Sequence, residues 1–219
     1  MKHSVIPKSL IAVFSFIEGL LYLAFLLLDI SGRGEYTLWL KYAGILLCLA
    51  FAAFCALHGG EPLVAPALLF TAGADWFLLI RNEHLLLGVA LFLCVQALYF
   101  LRLHRAGGCR KLLWLRLALA VVFTLAPLLI PGMATPLNLL AMLYFSQLLS
   151  NTVLAWTLPA MRTFALGLTL FVGCDICVGL FNAFALPPAL FSVVSVGMWF
   201  FYLPSQVLIA LSARPRRLH

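Results

Sequence analysis

Apolar residues run along this chain in long blocks and do not alternate with polar ones. Each block holds roughly 20 residues, enough to cross a bilayer as a helix. The blocks predict eight helices, at about 9–29, 37–57, 63–81, 84–103, 111–130, 135–157, 161–184 and 188–211. Polar and helix-breaking residues separate them at Ser31–Gly34, His58–Pro62, Arg81–His84, Leu103–Arg110, Pro131–Pro136, Leu158–Arg162 and Leu186–Pro188. Strands of a membrane barrel would alternate apolar and polar side chains. Lipid gives the backbone no partner, so helices that bond internally are the economical solution. The pattern predicts an all-α membrane protein, a bundle of eight transmembrane helices in a single domain over residues 1–219.

Composition agrees. The chain is 65% hydrophobic and 10% charged, whereas a soluble domain has about 45–50% apolar and about 25% charged residues. Its mean hydropathy is +1.12. Lys2 and Lys8 precede the first block, as in a signal peptide, but no small-residue cleavage site follows. The block is expected to be a retained span.

Charge sets the orientation. With eight spans, one side holds Lys2, Lys8, Arg102, Arg105, Arg110, Lys111, Arg116, Arg162, Arg214, Arg216 and Arg217. The other holds Arg33 and Arg81, with Lys41 inside a span. This bias predicts that both termini are cytoplasmic. The net charge of +7 is then a property of that face, suited to anionic lipid. The basic residues sit in short turns without an aromatic-studded soluble module, so no nucleic-acid partner is expected.

Five of the six cysteines, Cys48, Cys55, Cys94, Cys174 and Cys177, lie in predicted spans, and Cys109 lies in a loop. Apolar surroundings make them small hydrophobes, the CDIC spacing at 174–177 included. The five histidines lie near span or chain ends, and none has zinc-site spacing. No metal and no cofactor is expected.

A polar feature recurs. LFTAGADWFLLIRN (69–82) resembles LFVGCDICVGLFN (170–182), matching Gly73, Asp75 and Asn82 to Gly173, Asp175 and Asn182. Each copy precedes a span with a tyrosine and a glutamine, Gln96 and Tyr99 in the fourth and Tyr202 and Gln206 in the eighth. The offset is four helices, so halves 1–104 and 105–219 would be parallel repeats about an axis along the membrane normal. Glu18 lies near the middle of the first span and Lys41 in the outer turns of the second. Ionisable residues at such depth face the bundle interior, pair and mark function. Plain structural roles are the alternative: interhelical hydrogen bonding for the aspartates, tyrosines and amides, snorkelling for Lys41. Gly73, Gly88, Gly167 and Gly173 suit close helix packing. Pro204 inside the eighth span would free a carbonyl one turn earlier.

The residues also resemble a known family. KYAGILL from Lys41, GADWFLL around Asp75, GVALFLCVQALYF from Gly88, GLTLFVGCD from Gly167 and MWFFYLPSQVLIA from Met198 are similar to segments of the lysoplasmalogenase (YhhN-like) family of multi-pass membrane proteins. Tyr42, Ala74, Gln96 and Cys174 stand where that family has proline, glycine, histidine and serine. The resemblance implies hydrolysis of the vinyl-ether bond of a lysoplasmalogen to a fatty aldehyde and a glycerophospho-base. It implies that one of Asp75 and Asp175 is the acid and the other the base, in either order. Lys41 would hold a carboxylate or meet the phosphate. Gln96, Tyr99, Tyr202 and Gln206 would line the cavity, with Glu18 in support. A lysophospholipid would be the partner. The location would be the plasma membrane of a bacterium or the reticulum of a eukaryote. A lipid-binding protein or a proton-coupled carrier, with carboxylates near the midplane, is the competing reading.

Overall fold

The computed structural model describes residues 6–33, 37–107, 112–183 and 187–215. Lys2, His3, Cys109, Arg110, Lys111, Arg216, Arg217 and His219 lie outside the described residues, as do parts of three connections. The elements are α1 (Lys8–Ile30), α2 (Leu38–Leu57), α3 (Val64–Asp75), α4 (Leu85–Arg105), α5 (Leu112–Leu125), α6 (Pro136–Trp156), α7 (Arg162–Ala183) and α8 (Pro188–Leu211). A π-helical turn, Trp76–Arg81, prolongs α3. Short 3-10 turns follow α5 at Ala126–Leu129 and precede α7 at Pro159–Met161. No strand occurs among the described residues. Among the described residues, eight helical segments are long and apolar enough to cross a membrane. This is an integral multi-pass membrane protein, and each predicted span is present with its ends moved by two residues at most.

Local chemistry explains the ends. At α6, the Thr135 hydroxyl accepts from the Asn138 amide at 3.2 Å and Pro136 fills the first turn, where its missing N–H costs nothing. The π turn stops at Asn82 and His84, both left-handed at φ 47° and 54°. Asparagine tolerates that region better than most residues, and it ends helices for that reason.

Helices packed in lipid gain no hydrophobic drive from touching each other, so close approach rests on small residues. A Cβ on Gly167 of α7 would lie 2.9 Å from Ile209 Cγ1 and 3.0 Å from the Ser205 carbonyl of α8. A Cβ on Gly88 of α4 would lie 2.5 Å from Leu78 Cγ. On Gly173 it would meet the Phe201 ring at 3.2 Å. Gly73 is less confined, with Leu91 at an ordinary 3.5 Å. By contrast α5 contributes no buried side chain, so its surface faces lipid.

Helix α2 packs on α3, and α8 packs on α7, α2, α1 and α3. Helix α6 packs on α4, α5 and α7. The site described below lies where α3, α4, α6, α7 and α8 meet. Pro204 leaves the Phe200 carbonyl without its helical donor, and the Tyr22 hydroxyl of α1 donates to that carbonyl at 3.3 Å. The carbonyl that the sequence marks as freed is thus satisfied from another helix.

Gly167→Ala therefore forces α7 and α8 apart and lowers the melting temperature in detergent, by an amount in keeping with the ~1–3 kcal/mol typical of overpacking. Gly179→Ala, with nothing within 4 Å of the added carbon, leaves the melting temperature nearly unchanged. Equal melting of the two variants would contradict the tight α7–α8 contact.

Candidate functional site

Asp75 is the last residue of α3 before the π turn, and it is buried. π turns inside α-helices recur at functional sites. The Tyr202 hydroxyl of α8 donates to Asp75 Oδ2 at 2.7 Å, a length typical of a hydroxyl on a carboxylate. Tyr42 of α2 lies within electrostatic reach of the same carboxylate, and its hydroxyl donates to the Ala72 carbonyl at 3.3 Å. Tyr42, next to Lys41 in sequence, is therefore a neighbour of Asp75.

Asp175 sits midway along α7. Its residue surface is partly open, but its Oδ2 is enclosed and accepts no hydrogen bond of strict geometry. The buried hydroxyl of Tyr144 on α6 interacts with the Asp175 carboxyl electrostatically, also outside strict hydrogen-bond geometry. Cys174 lies within reach of both Asp75 and Asp175, so the two carboxyls share a neighbour. Tyr144 and Tyr202 are likewise within reach of each other.

Aromatic rings enclose this group. The Phe171 ring centre lies 5.5 Å from that of Tyr202 and 6.5 Å from that of Tyr144. Phe92 of α4 lies 5.6 Å from Tyr144 and 5.7 Å from Phe171. The result is one polar cluster, Asp75, Asp175, Tyr144, Tyr202 and Cys174, inside an apolar sleeve. Two carboxyls with adjacent hydroxyls can exchange protons with a bound molecule, and the sleeve suits an alkyl or alkenyl chain. Among the described residues, no three His, Cys, Asp or Glu side chains converge as a metal site requires.

The other sequence-predicted residues are elsewhere. Lys41 meets a carboxylate, but that of Asp29 at the end of α1, with Nζ 2.7 Å from Oδ2. The Thr37 hydroxyl donates to the other Asp29 oxygen at 2.8 Å. The ammonium also sits over Trp199, 4.7 Å from the ring centre. Glu18 is buried between α1 and α2, where Oε1 accepts from the Cys48 thiol at 3.3 Å. Gln96 belongs to a relay between helices: Asn151 Nδ2 donates to both its main-chain carbonyl and its Oε1 at 2.9 Å. Arg116 in turn donates to Asn151 Oδ1 at 2.9 Å. Gln206 Nε2 donates to Ser205 Oγ at 3.2 Å. Tyr99 is fully enclosed and packs edge-on against Phe164 at 5.1 Å, with Tyr144 within electrostatic reach.

Sequence reasoning missed Tyr144 and Asp29. Tyr144 lies in a span without a carboxylate and outside the repeated segment. Asp29 stands at the very end of an apolar block, where a carboxylate passes as an interfacial residue.

The family model described as the YhhN family matches residues 36–213. No curated protein and no solved structure gave a significant match.

Asp29→Asn leaves the Lys41 ammonium buried without its counter-charge, and breaking one side of a buried pair costs about 3–5 kcal/mol. The variant is expected to melt well below the wild type, and Asp29→Leu/Lys41→Met to recover most of the loss. Melting in detergent checks both; an unchanged Asp29→Asn protein would show that Lys41 does not depend on this pair.

Proposed function

The chain belongs to the YhhN family, the family that includes lysoplasmalogenases, and on that footing we propose that it is a membrane-embedded hydrolase. Its substrate class is the lysoplasmalogen-type lysophospholipid, and its reaction is cleavage of the vinyl-ether bond. The observation that supports the reading is the clustering of Asp75 and Asp175, each beside a tyrosine hydroxyl and both within reach of Cys174.

Vinyl-ether hydrolysis starts with protonation of the enol-ether β-carbon, which leaves an oxocarbenium ion at the neighbouring carbon. An acid must supply the proton, and a base must take one from the attacking water. A pair of carboxyl groups divides these roles well. Tyr202 donates to Asp75, and a donated hydrogen bond suits an ionised carboxylate. Asp75 is therefore the base and the group that faces the developing cation. Tyr144 stands beside Asp175 outside strict hydrogen-bond geometry, a weaker hold on the ionised form than Tyr202 has on Asp75, so we assign Asp175 as the acid.

The sequence of steps balances. Asp175 protonates the β-carbon. Asp75 removes a proton from water as its oxygen joins the oxocarbenium carbon. The hemiacetal then loses its hydroxyl proton to Asp175, and its C–O bond to glycerol breaks. The departing glycerol oxygen takes the proton held by Asp75. Fatty aldehyde and glycerophospho-base leave, and both carboxyls return to their starting forms. Tyr202 positions Asp75, Tyr144 positions Asp175, and Phe92 and Phe171 hold the alkenyl chain away from water. Lys41 acts at a distance, by tying α1 to α2 through Asp29.

The test is aldehyde release from a lysoplasmalogen by the purified protein. Asp75→Asn and Asp175→Asn should each lower the rate by roughly 10²–10⁴-fold, the usual worth of a positioned acid or base, without changing the melting temperature. Tyr144→Phe and Tyr202→Phe should lower the rate less. Full activity in either asparagine variant would remove the two-carboxyl mechanism.

A further inference from the structure

At the face where both termini emerge, the bundle carries an open cavity of about 310 Å³. The basic-residue bias assigns this face to the cytoplasm. The cavity is lined by Arg102 and Arg105 of α4, Arg214 beyond α8, and Glu61 in the α2–α3 connection. Three positive charges stand against one negative, a lining charge of +2. We propose that this cavity is a binding site for a phosphate group, separate from the aspartate pair.

The walls are built rather than incidental. Arg102 is buried and held in place: Nη1 and Nη2 donate at 2.8 Å to the hydroxyl and carbonyl of Ser212. Its guanidinium lies 4.2 Å from the Phe164 ring centre, and Nε is 3.8 Å from Glu61 Oε2. The 58–62 turn is fastened to the end of α8, since the Glu61 amide donates to the Ala213 carbonyl at 2.8 Å. Gly60 permits this approach, for a Cβ there would collide with the Ala213 and Cys55 carbonyls. Arg214 uses Nε on the Leu211 carbonyl at 2.8 Å, which orients its guanidinium at the rim. Arginine presents a planar fork that matches phosphate oxygens in pairs. Basic pockets between helices at the cytoplasmic side suit phospholipid headgroups.

Depth separates this cavity from the carboxyl pair. Gly73, two residues before Asp75, abuts Leu91 of α4. Arg102 lies eleven residues further along that helix, roughly 16 Å at 1.5 Å per residue. In one lysophospholipid the phosphate and the vinyl ether are divided only by glycerol. A molecule with its ether at Asp75 cannot place its phosphate here. The occupant is a second phosphate-bearing molecule.

Two titrations of purified protein test this, one with phosphatidylglycerol in phosphatidylcholine nanodiscs and one with inorganic phosphate. Arg105→Gln/Arg214→Gln should weaken binding in at least one of them by roughly 30-fold, given the usual worth of a basic side chain toward anionic lipid. Arg105→Lys/Arg214→Lys should recover much of it. Lys8→Gln/Arg162→Gln removes the same charge from the same face outside the cavity, and should have little effect. Dependence in the lipid arm alone names a headgroup as the occupant; dependence in both names the phosphate group itself. No dependence in either arm, or equal loss in both glutamine pairs, overturns the proposal. Aldehyde release should be unchanged in Arg105→Gln/Arg214→Gln; a loss like that of Asp75→Asn would merge the two sites and overturn it as well. The binding assays read independently of hydrolysis, so failure of the catalytic reading would leave them intact.

Discussion

Hydrocarbon offers no hydrogen bond, and every polar group that enters this bundle must find its partner in the protein. Most do so in the simplest way. Thr71, Ser150, Thr152 and Thr169 each return their hydroxyl to the carbonyl four residues earlier. Others reach across helices. Tyr22 covers the carbonyl that Pro204 frees, Asn151 joins Gln96 to Arg116, and Asp29 takes Lys41 and Thr37. These bonds tie α1 to α8, α4 to α6 and α5, and α1 to α2. The polar residues inside the spans are therefore structural ties first.

Against that background the incomplete groups carry information. Asp175 Oδ2, Tyr144 Oη and Tyr99 Oη are buried and lack a hydrogen bond of strict geometry among the described residues. Such groups cost stability in an apolar interior. They are also adjacent: Tyr144 is within electrostatic reach of both Asp175 and Tyr99. A lone unsatisfied group is a packing defect, but a carboxyl with two unsatisfied tyrosine hydroxyls in succession beside it is a polar group with hydrogen-bonding capacity to spare. Glu18 Oε2 and Gln96 Nε2 are also buried without such a bond, but neither the Glu18–Cys48 nor the Gln96–Asn151 contact brings two carboxyls to a shared neighbour as Cys174 does.

The helices were legible because their cause is local. Apolar length and the punctuation between blocks place the ends of each span within two residues. The two aspartates were legible for the same reason, since a carboxylate in an apolar block is costly wherever it points. Partner choice was not, because it depends on rotation about each helix axis and on which helices touch. Lys41 was expected to serve the aspartate pair by depth alone, yet Asp29 lies closer in the folded bundle. Gln96 shares a helix with Phe92 of the site but turns toward Asn151. Tyr144 had no signature at all, because a tyrosine in an apolar span is ordinary until its neighbour is known. The π turn after Asp75 likewise leaves no mark in composition.

The likeness of residues 69–82 to 170–182 makes the two aspartates equivalent in sequence, but their surroundings are not equivalent. Several helix contacts follow the four-helix offset: α3 on α4 and α7 on α8, α2 on α3 and α6 on α7, α2 on α8 and α6 on α4. Helix α3 also touches α8, whereas α7 meets α4 through side chains, Phe171 on Phe92 and Phe164 on Tyr99. The α3–α8 contact brings the Tyr202 hydroxyl to Asp75 at 2.7 Å. Asp175 instead faces Tyr144 of α6, outside strict hydrogen-bond geometry. Two carboxyls in identical settings would compete for one proton with no preference between them. Tyr202 donates to Asp75 in strict geometry while the Tyr144 hydroxyl stands beside Asp175 outside it, so the two settings differ in the quality of that hold. Under the proposed mechanism this difference falls at the two carboxyls whose roles have to differ.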